Sequence, residues 1–386
     1  MRIAIIGAGL SGLACAHRLE QLGFDGQVDI FEERQDIGTG NVFLEYAGEL
    51  FYRPVADIFA HYAEHYKLYL RPLQTIYKSL TYGPTRMSHL HGFQGHIVAR
   101  GSHPHALERQ LYEQIRTKVQ FNRRVDVEAI RGEYDVVVLA TGNLADVPKS
   151  VRVRVDRDTS FYHAMIRGAH DPQLVKLWWN RNYAPEGYAY LLPLDEHRAM
   201  ISIVTPQGDK LPDLWRRFRQ EVLTDRVEIE SMQQVNHLPI GQPERLRDGN
   251  VIFAGNAVGA ITPAMGFGLH MAILTGMYIG EEIVEGRDYE ERMQQHLQEY
   301  RWSLSVRNRL ELMNDSQLDA MVDGMDSFIG RHLLRSGGVN FLRYAGRMLG
   351  LIQDDMEKST YPTHLLPYDG ETIMDKRQEQ QQPPQQ

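Results

Sequence analysis

An apolar run that feeds straight into Gly7-Ala8-Gly9-Leu10-Ser11-Gly12 confines what the start of this chain can build. Residues 2–6 read Arg-Ile-Ala-Ile-Ile. After the glycines, Leu13, Ala14, Ala16, Leu19 and Leu22 recur on one helical face, and Gly23 stands near the end. A second apolar run, 28–31, ends at Glu32. Each part has a physical reason. Gly7 permits the tight turn out of the strand, Gly9 lets the backbone approach a pyrophosphate, and Gly12 lets the helix pack closely on the sheet. The free N–H groups of the helix start, at Ser11, then meet phosphate charge. Glu32 lies twenty residues beyond Gly12, where a carboxylate accepts hydrogen bonds from ribose hydroxyls; Glu33 and Arg34 extend this contact set. A glycine-rich turn with no ligand would leave Glu32 unexplained.

Composition narrows the setting. A chain of 386 residues holds two or three packed regions. The net charge of −8 argues against a broad nucleic-acid surface. No apolar run reaches the roughly 18 residues that span a bilayer, so at most peripheral membrane contact is expected. The chain enters its first strand at once, so no secretory signal is expected. Cys15 is the sole cysteine, which removes an internal disulfide and any cysteine-ligated cluster, and it reads as a small buried apolar residue. Together these features favour the cytoplasm.

The segments alternate in character. Residues 1–50, 95–150 and 245–290 read as one discontinuous α/β nucleotide-binding domain. Within it, 97–100 is apolar, 104–117 is helical, 119–121 and 125–130 are strand-like, and 134–142 is a continuous apolar run typical of a buried parallel strand. Residues 51–94 and 151–244 read as a sheet-based substrate domain, with β-rich runs at 187–194 and 199–204 and a basic amphipathic helix near 214–223. Residues 291–370 form a helical region, with Leu304, Leu310, Leu312, Leu318, Met321 and Met325 at helix-like spacings. The Gln- and Pro-rich end, 371–386, is expected to be a disordered tail.

A second glycine-rich signal lies far from the first. Residues 251–254 are apolar and lead into Gly255-Asn256-Ala257, then Pro263, then Gly266-Phe267-Gly268 and a helix. This resembles the second FAD motif of flavoproteins with the p-hydroxybenzoate hydroxylase fold, where Gly-Asp is followed by Pro and Gly-x-Gly. The resemblance implies a Rossmann-type FAD-binding α/β domain with a β-sheet substrate domain and C-terminal helices. It also implies that the acid position binds ribitol and that the helix start faces the pyrimidine edge of the isoalloxazine. Asn256 departs from the pattern, keeping an acceptor oxygen and gaining a donor. Arg100, ahead of His105-Ala106-Leu107, resembles the family arginine beside the FAD pyrophosphate. Val125 resembles the strand residue whose backbone contacts adenine, and Ala140-Thr141-Gly142 the turn that closes over the dinucleotide.

The segment Pro185-Glu186-Gly187-Tyr188-Ala189-Tyr190-Leu191-Leu192-Pro193 is similar to the Pro-x-x-Tyr-x-Trp-x-Phe-Pro pattern of the geranylgeranyl reductase group, with Tyr190 for Trp and Leu192 for Phe. In that group the segment lines the pocket between flavin and lipid substrate, which makes Tyr188 and Tyr190 the substrate-pocket candidates. The same alternation also describes a half-buried strand. No catalytic residue or proton donor is named by the sequence. The Asp-Gly motif that many hydroxylases of this fold carry near 135–142 is missing. Direct reduction by NAD(P)H is thereby weakened, and a ferredoxin-like or flavodoxin-like electron-donor protein stands beside it. Flavin halogenases share the fold, but this chain has neither a lysine before Lys67 nor their Trp pair. The group His89, His91, His96, His103 and His105 has no clear ligand partners, so no metal is expected; one of them is open as a proton donor. Trp178, Trp179 and Tyr183 read as core or pocket wall. Three functions remain: reduction of C=C bonds in an isoprenoid-like hydrophobic substrate by hydride from reduced FAD, hydroxylation of an aromatic or polyketide-like substrate, and non-catalytic flavin or lipid binding.

Overall fold

The computed structural model describes residues 1–38, 40–223 and 227–327. In chain order the elements are β1 (Arg2–Ile6), α1 (Leu10–Gln21), β2 (Gln27–Phe31), β3 (Phe43–Gly48), α2 (Glu49–Tyr52), α3 (Ile58–Tyr66), β4 (Gln74–Tyr82), β5 (Met87–Arg100), α4 (Leu107–Tyr112), β6 (Val119–Gln120), α5 (Val127–Ile130) and β7 (Val136–Leu139). They continue as β8 (Val153–Arg167), β9 (Leu174–Trp178), β10 (Tyr188–Pro193), β11 (Arg198–Thr205), α6 (Leu211–Val222), β12 (Glu228–Pro243), β13 (Arg247–Asp248), β14 (Val251–Phe253), α7 (Leu269–Glu285), α8 (Tyr289–Leu312) and α9 (Asp315–Asp326). The expected tail, 371–386, and the helical region beyond 327 lie outside the described residues.

Two sheets organise the molecule. The first has six strands in the order β13-β14-β7-β1-β2-β6. Its central strands are parallel: Ile5 pairs with Ile30 on one side and Val138 on the other. Such strands are covered on both faces, and Ile3, Ile5, Val137, Val138 and Phe253 are fully buried. The second sheet has eight strands in the order β12-β8-β11-β10-β9-β4-β5-β3, mostly antiparallel. One of its faces is covered by α6, whose Leu211, Leu214, Trp215 and Phe218 are buried on the side opposite its arginines.

What brings the two glycine-rich turns together is a helix crossing that the sequence reading did not single out. A Cβ on Gly276 of α7 would stand 2.1 Å from the Ser11 carbonyl oxygen, and one on Gly280 would stand 2.8 Å from Arg18 Cβ. Two small residues one turn apart let α7 lie directly on α1. A buried ion pair ties the same helices, Arg18 of α1 to Glu281 of α7, and Arg292 of α8 binds the same carboxylate.

Several local expectations are corrected. Residues 125–130 are not a strand: Asp126 accepts a hydrogen bond from Glu128 N at 2.7 Å and caps the short helix α5. An N-cap side chain of this kind starts a helix even over four residues. The helix expected over 104–117 is the shorter α4. The sheet boundary also lies elsewhere than the segment boundaries expected from sequence. β3 and residues 95–100 belong to the second sheet, because β5 runs unbroken from the β4 hairpin and pairs with β3 through Arg100↔Phe43.

Candidate functional site

A cavity of about 2430 Å³ runs from the first glycine turn to the face of the second sheet. At one end Gly7 leaves β1 with φ +104°, and a Cβ there would stand 2.5 Å from the Ala140 carbonyl oxygen. Gly12 is packed as tightly, since its Cβ would lie 2.0 Å from the Gly7 oxygen. Gly9 is different: a Cβ there meets nothing within 4 Å. The open side of Gly9 is the cavity itself. Glu32 holds the turn, accepting from Ala8 N at 2.9 Å and Arg34 N at 3.0 Å. Each carboxylate oxygen keeps further acceptor capacity.

Most residues singled out by sequence line this one cavity: Gly7, Gly9, Ser11, Glu32, Glu33, Arg34, Arg100, Val125, Ala140, Thr141, Gly142, Gly255, Asn256, Gly266, Phe267, Gly268, Tyr188 and Tyr190. Gly12 and Pro263 are not in its wall; Gly12 is buried within α1 and Pro263 is buried within the second turn. That turn is tightly wound. Gly255 has φ +64° and its N–H donates to Thr275 Oγ1 at 2.9 Å. Thr262 N donates to Phe267 O at 2.8 Å and Gly266 N to Thr262 O at 2.9 Å. Ala264 N donates to Ser303 Oγ of α8, and the Tyr188 hydroxyl donates to the Met265 carbonyl. The loop is thus held from α8 and from the second sheet at once.

Asn256 supplies a direct test of fit. Its Nδ2 donates to Gly142 O at 3.2 Å, while Oδ1 is buried with no protein partner. A buried unpaired acceptor beside two glycine turns suits a sugar hydroxyl, because leaving it unpaired costs about 1–3 kcal/mol. With the open cradle at Gly9, these residues fit a dinucleotide whose diphosphate lies at the start of α1 and whose sugar alcohol reaches Asn256.

Arg100 departs from the expected pyrophosphate partner. Its Nε donates to Glu108 at 2.5 Å and its Nη1 to Glu45 at 2.9 Å, and the guanidinium lies 5.4 Å from the Phe43 ring. Burial lowers its pKa less than the two carboxylates raise it, so it stays charged, and that charge is already matched.

The other end of the cavity is the inner face of the second sheet. Tyr188, Val204, Phe161 and Val235 form one cross-strand row, and Tyr190, Ser202, His163 and Gln233 the next. β10 is buried on both faces: Tyr188, Tyr190 and Leu192 line the cavity, while Ala189 and Leu191 pack in the core under α6. His163 is the polar member that sequence did not reveal. It bonds Ser202 Oγ through Nδ1 and contacts Phe161, Phe43 and Tyr190. Burial lowers its pKa to about 3, so the ring is neutral. Of the histidine group noted in sequence, His91 lines the cavity and its ring lies 3.9 Å from His89, while His96 pairs with Asp57 at 3.2 Å. Among the described residues no three metal-ligating side chains converge. Trp178 and Tyr183 pack against Phe218 of α6, and Trp179 against Tyr188.

Residues 5–68 match the NAD(P)-binding Rossmann-like domain family. A geranylgeranyl bacteriochlorophyll reductase-like protein of Thermoplasma acidophilum superposes with a TM-score of 0.64, covering 92% of this chain and 98% of that one at 13% identity. The chain shares the fold of that reductase-like protein. Digeranylgeranylglycerophospholipid reductase 1 of Methanopyrus kandleri is 23% identical over 197 residues, which are 47% of this chain and 52% of the relative. The chain spans about half the length of the curated relatives it matches. A flavin-dependent brominase shares the architecture, with a TM-score of 0.62 over 93% of this chain and all of that one at 14% identity. No helix among the described residues is long and apolar enough to cross a membrane.

Proposed function

We propose that this geranylgeranyl-reductase-like chain is an FAD-dependent oxidoreductase that reduces C=C bonds of a long, hydrophobic, isoprenoid-like substrate. The observation that carries the reading is the continuity of the cavity. One space of about 2430 Å³ joins the dinucleotide cradle to an aromatic and aliphatic sheet face. Pockets for drug-sized ligands are roughly 300–1,000 Å³, so this one has room for a dinucleotide and a long second molecule. When bound, FAD would supply hydride chemistry, which no side chain provides.

The residues divide the work. Gly7, Gly9, Ser11 and the α1 N-terminus hold the diphosphate, Glu32 the adenosine ribose, and Asn256 the ribitol. The N-terminus of α7, behind Gly268, presents its positive dipole end where a reduced flavin gathers negative charge. Tyr188, Tyr190, Leu192, Phe161 and Val204 orient the apolar substrate and exclude water. The turn at Ala140–Asn143 carries no acid, so NAD(P)H alone is expected to reduce the flavin slowly, and a ferredoxin-like or flavodoxin-like protein stands beside it as electron donor.

The test is anaerobic. The purified protein should release FAD on denaturation. Chemically reduced enzyme should be reoxidised by a polyprenyl compound, giving a saturated product. Tyr190→Ala should slow that step more than it loosens FAD. Reoxidation that requires O₂ and adds an oxygen atom to an aromatic substrate would instead make the protein a hydroxylase. NAD as the sole nucleotide released would end the flavin reading.

A further inference from the structure

One ring nitrogen in the cavity wall has no hydrogen-bond partner among the described residues. His163 lies on β8 and lines the cavity. Its ring runs nearly parallel to that of Phe43, with an interplanar angle of 11°. Its centre is 4.4 Å from the ring centre of Phe161 and 6.4 Å from that of Tyr190. Three aromatic neighbours therefore fix the orientation of the imidazole. Nδ1 is bonded to Ser202 Oγ, and nothing described bonds Nε2.

Ser202 decides which of the two nitrogens carries the proton. It is fully buried, and its Oγ donates to the Tyr162 carbonyl oxygen at 2.7 Å. A hydroxyl has one proton, and a carbonyl oxygen can only accept. Were that proton turned to His163, two oxygens would face each other at this distance with lone pair against lone pair. The proton goes to the carbonyl, and Ser202 accepts from Nδ1–H of His163. The Tyr190 hydroxyl, a further neighbour of Ser202, can itself donate and does not compete for that proton. Burial keeps the His163 ring neutral, and a neutral imidazole has a single N–H. Nε2 is left with a lone pair.

The surroundings say what that lone pair accepts from. Among the described residues, no charged side chain of β8, β10, β11 or β12 lines the cavity, and Phe161, Leu192, Val204 and Val235 make the wall around His163 apolar. Lys176 of β9 shares a cross-strand row with Leu191, on the face turned to α6. A phosphate here would set its own lone pairs against Nε2, with no cation on this wall to offset its burial. A hydroxyl brings the proton that Nε2 lacks.

We propose that His163 Nε2 accepts a hydrogen bond from a hydroxyl of the substrate, so that the molecule taken up at the sheet face is a long apolar alcohol and not its phosphate ester. The proposal rests on the reductase reading and narrows its substrate class. Ser202 is a positioning residue, which acts by holding the proton on Nδ1.

The experiment measures binding, not turnover. Holoprotein is dialysed to equilibrium against tritiated phytanol, phytanyl methyl ether or phytanyl phosphate, which are saturated and accept no hydride. The wild-type protein should hold phytanol at least about tenfold more tightly than either of the others. His163→Phe keeps an aromatic ring in the slot, and should bring phytanol to the ether's affinity while leaving the ether's own unchanged. In protein labelled with nitrogen-15 histidine, the ring signals missing from His163→Phe should show a protonated Nδ1 and a bare Nε2. Ser202→Ala should reduce the preference for the alcohol and leave the proton shared between the two nitrogens, which lost packing alone would not do. A protonated Nε2 in the wild-type protein, an ether held as tightly as the alcohol, a phosphate held most tightly, or a preference that survives His163→Phe overturns the proposal and leaves the apolar cavity standing. Should His163→Phe fail to fold, wild-type selectivity and its loss in Ser202→Ala decide. If none of the three compounds binds, the reading of a long apolar substrate falls, and the proposal with it.

Discussion

Two glycines of one motif should respond oppositely to the same added methyl group. In Gly12→Ala the new Cβ would sit 2.0 Å from the Gly7 carbonyl oxygen and 3.1 Å from Ile5 Cγ2. Carbon and oxygen rest no closer than about 3.4 Å, so α1 has to retreat by more than about 1 Å. Overpacking of this kind costs about 1–3 kcal/mol, and because the obstacle is backbone the expected loss is near the upper end. In Gly9→Ala the Cβ meets nothing within 4 Å, and Gly9 has φ −83°, which alanine adopts freely. Alanine is a poorer N-cap than glycine, so the apoprotein should lose under about 1 kcal/mol. The space that the methyl fills is the one assigned to the diphosphate, so flavin retention should fall at least about tenfold, roughly 1.4 kcal/mol. Urea unfolding of the apoproteins and flavin titration of each variant measure the two quantities separately. If Gly9→Ala destabilises the apoprotein as much as Gly12→Ala, or if it retains flavin normally, the division into a packing glycine and a ligand glycine is wrong.

Asn256→Leu should weaken flavin retention markedly by removing both hydrogen-bonding groups, whereas Asn256→Asp should still bind flavin and lower its reduction potential. The aspartate also turns an acceptor toward the Gly142 carbonyl, so a potential that does not move in a folded Asn256→Asp variant would count against the ribitol placement. His163 should make the fold acid-sensitive. Its folded pKa, about 3, lies below the unfolded value, so its contribution is present above about pH 6.5 and is lost as pH falls toward 3, at no more than about 1.4 kcal/mol per unit. Water in the open cavity screens this; His163→Gln should flatten the pH dependence of urea unfolding between pH 6 and 4, and an unchanged slope would refute the assignment. Cys15 is fully buried and its thiol pKa is pushed up to about 12, so a thiol reagent at pH 8 should label the protein only on unfolding. Rapid labelling of native protein would show that α1 is not packed as described.

Sequence alone determined the parts that depend on local chemistry. The run 2–6, the spacing of Gly7, Gly9 and Gly12 and the acid at Glu32 specify a strand, a turn and a helix whatever lies elsewhere, because each residue acts on its neighbours. The second turn at Gly255–Gly268 is legible for the same reason, and so is the alternation of Tyr188, Tyr190 and Leu192 that puts them on one face of β10. What sequence could not state is which distant segments meet. Gly276 and Gly280 look like ordinary helix residues until α1 is seen lying against them, and that crossing brings the two turns to one cavity. Arg100 carries the spacing of a phosphate ligand, yet Glu45, 55 positions earlier, and Glu108 claim its charge once β3 and α4 pack beside it. His163 and Ser202 stand in no motif, and the sheet boundary at β5 is set by pairing with β3. Contacts between residues far apart in the chain leave no local pattern. They are fixed only when burial and hydrogen bonding are satisfied across the whole fold at once.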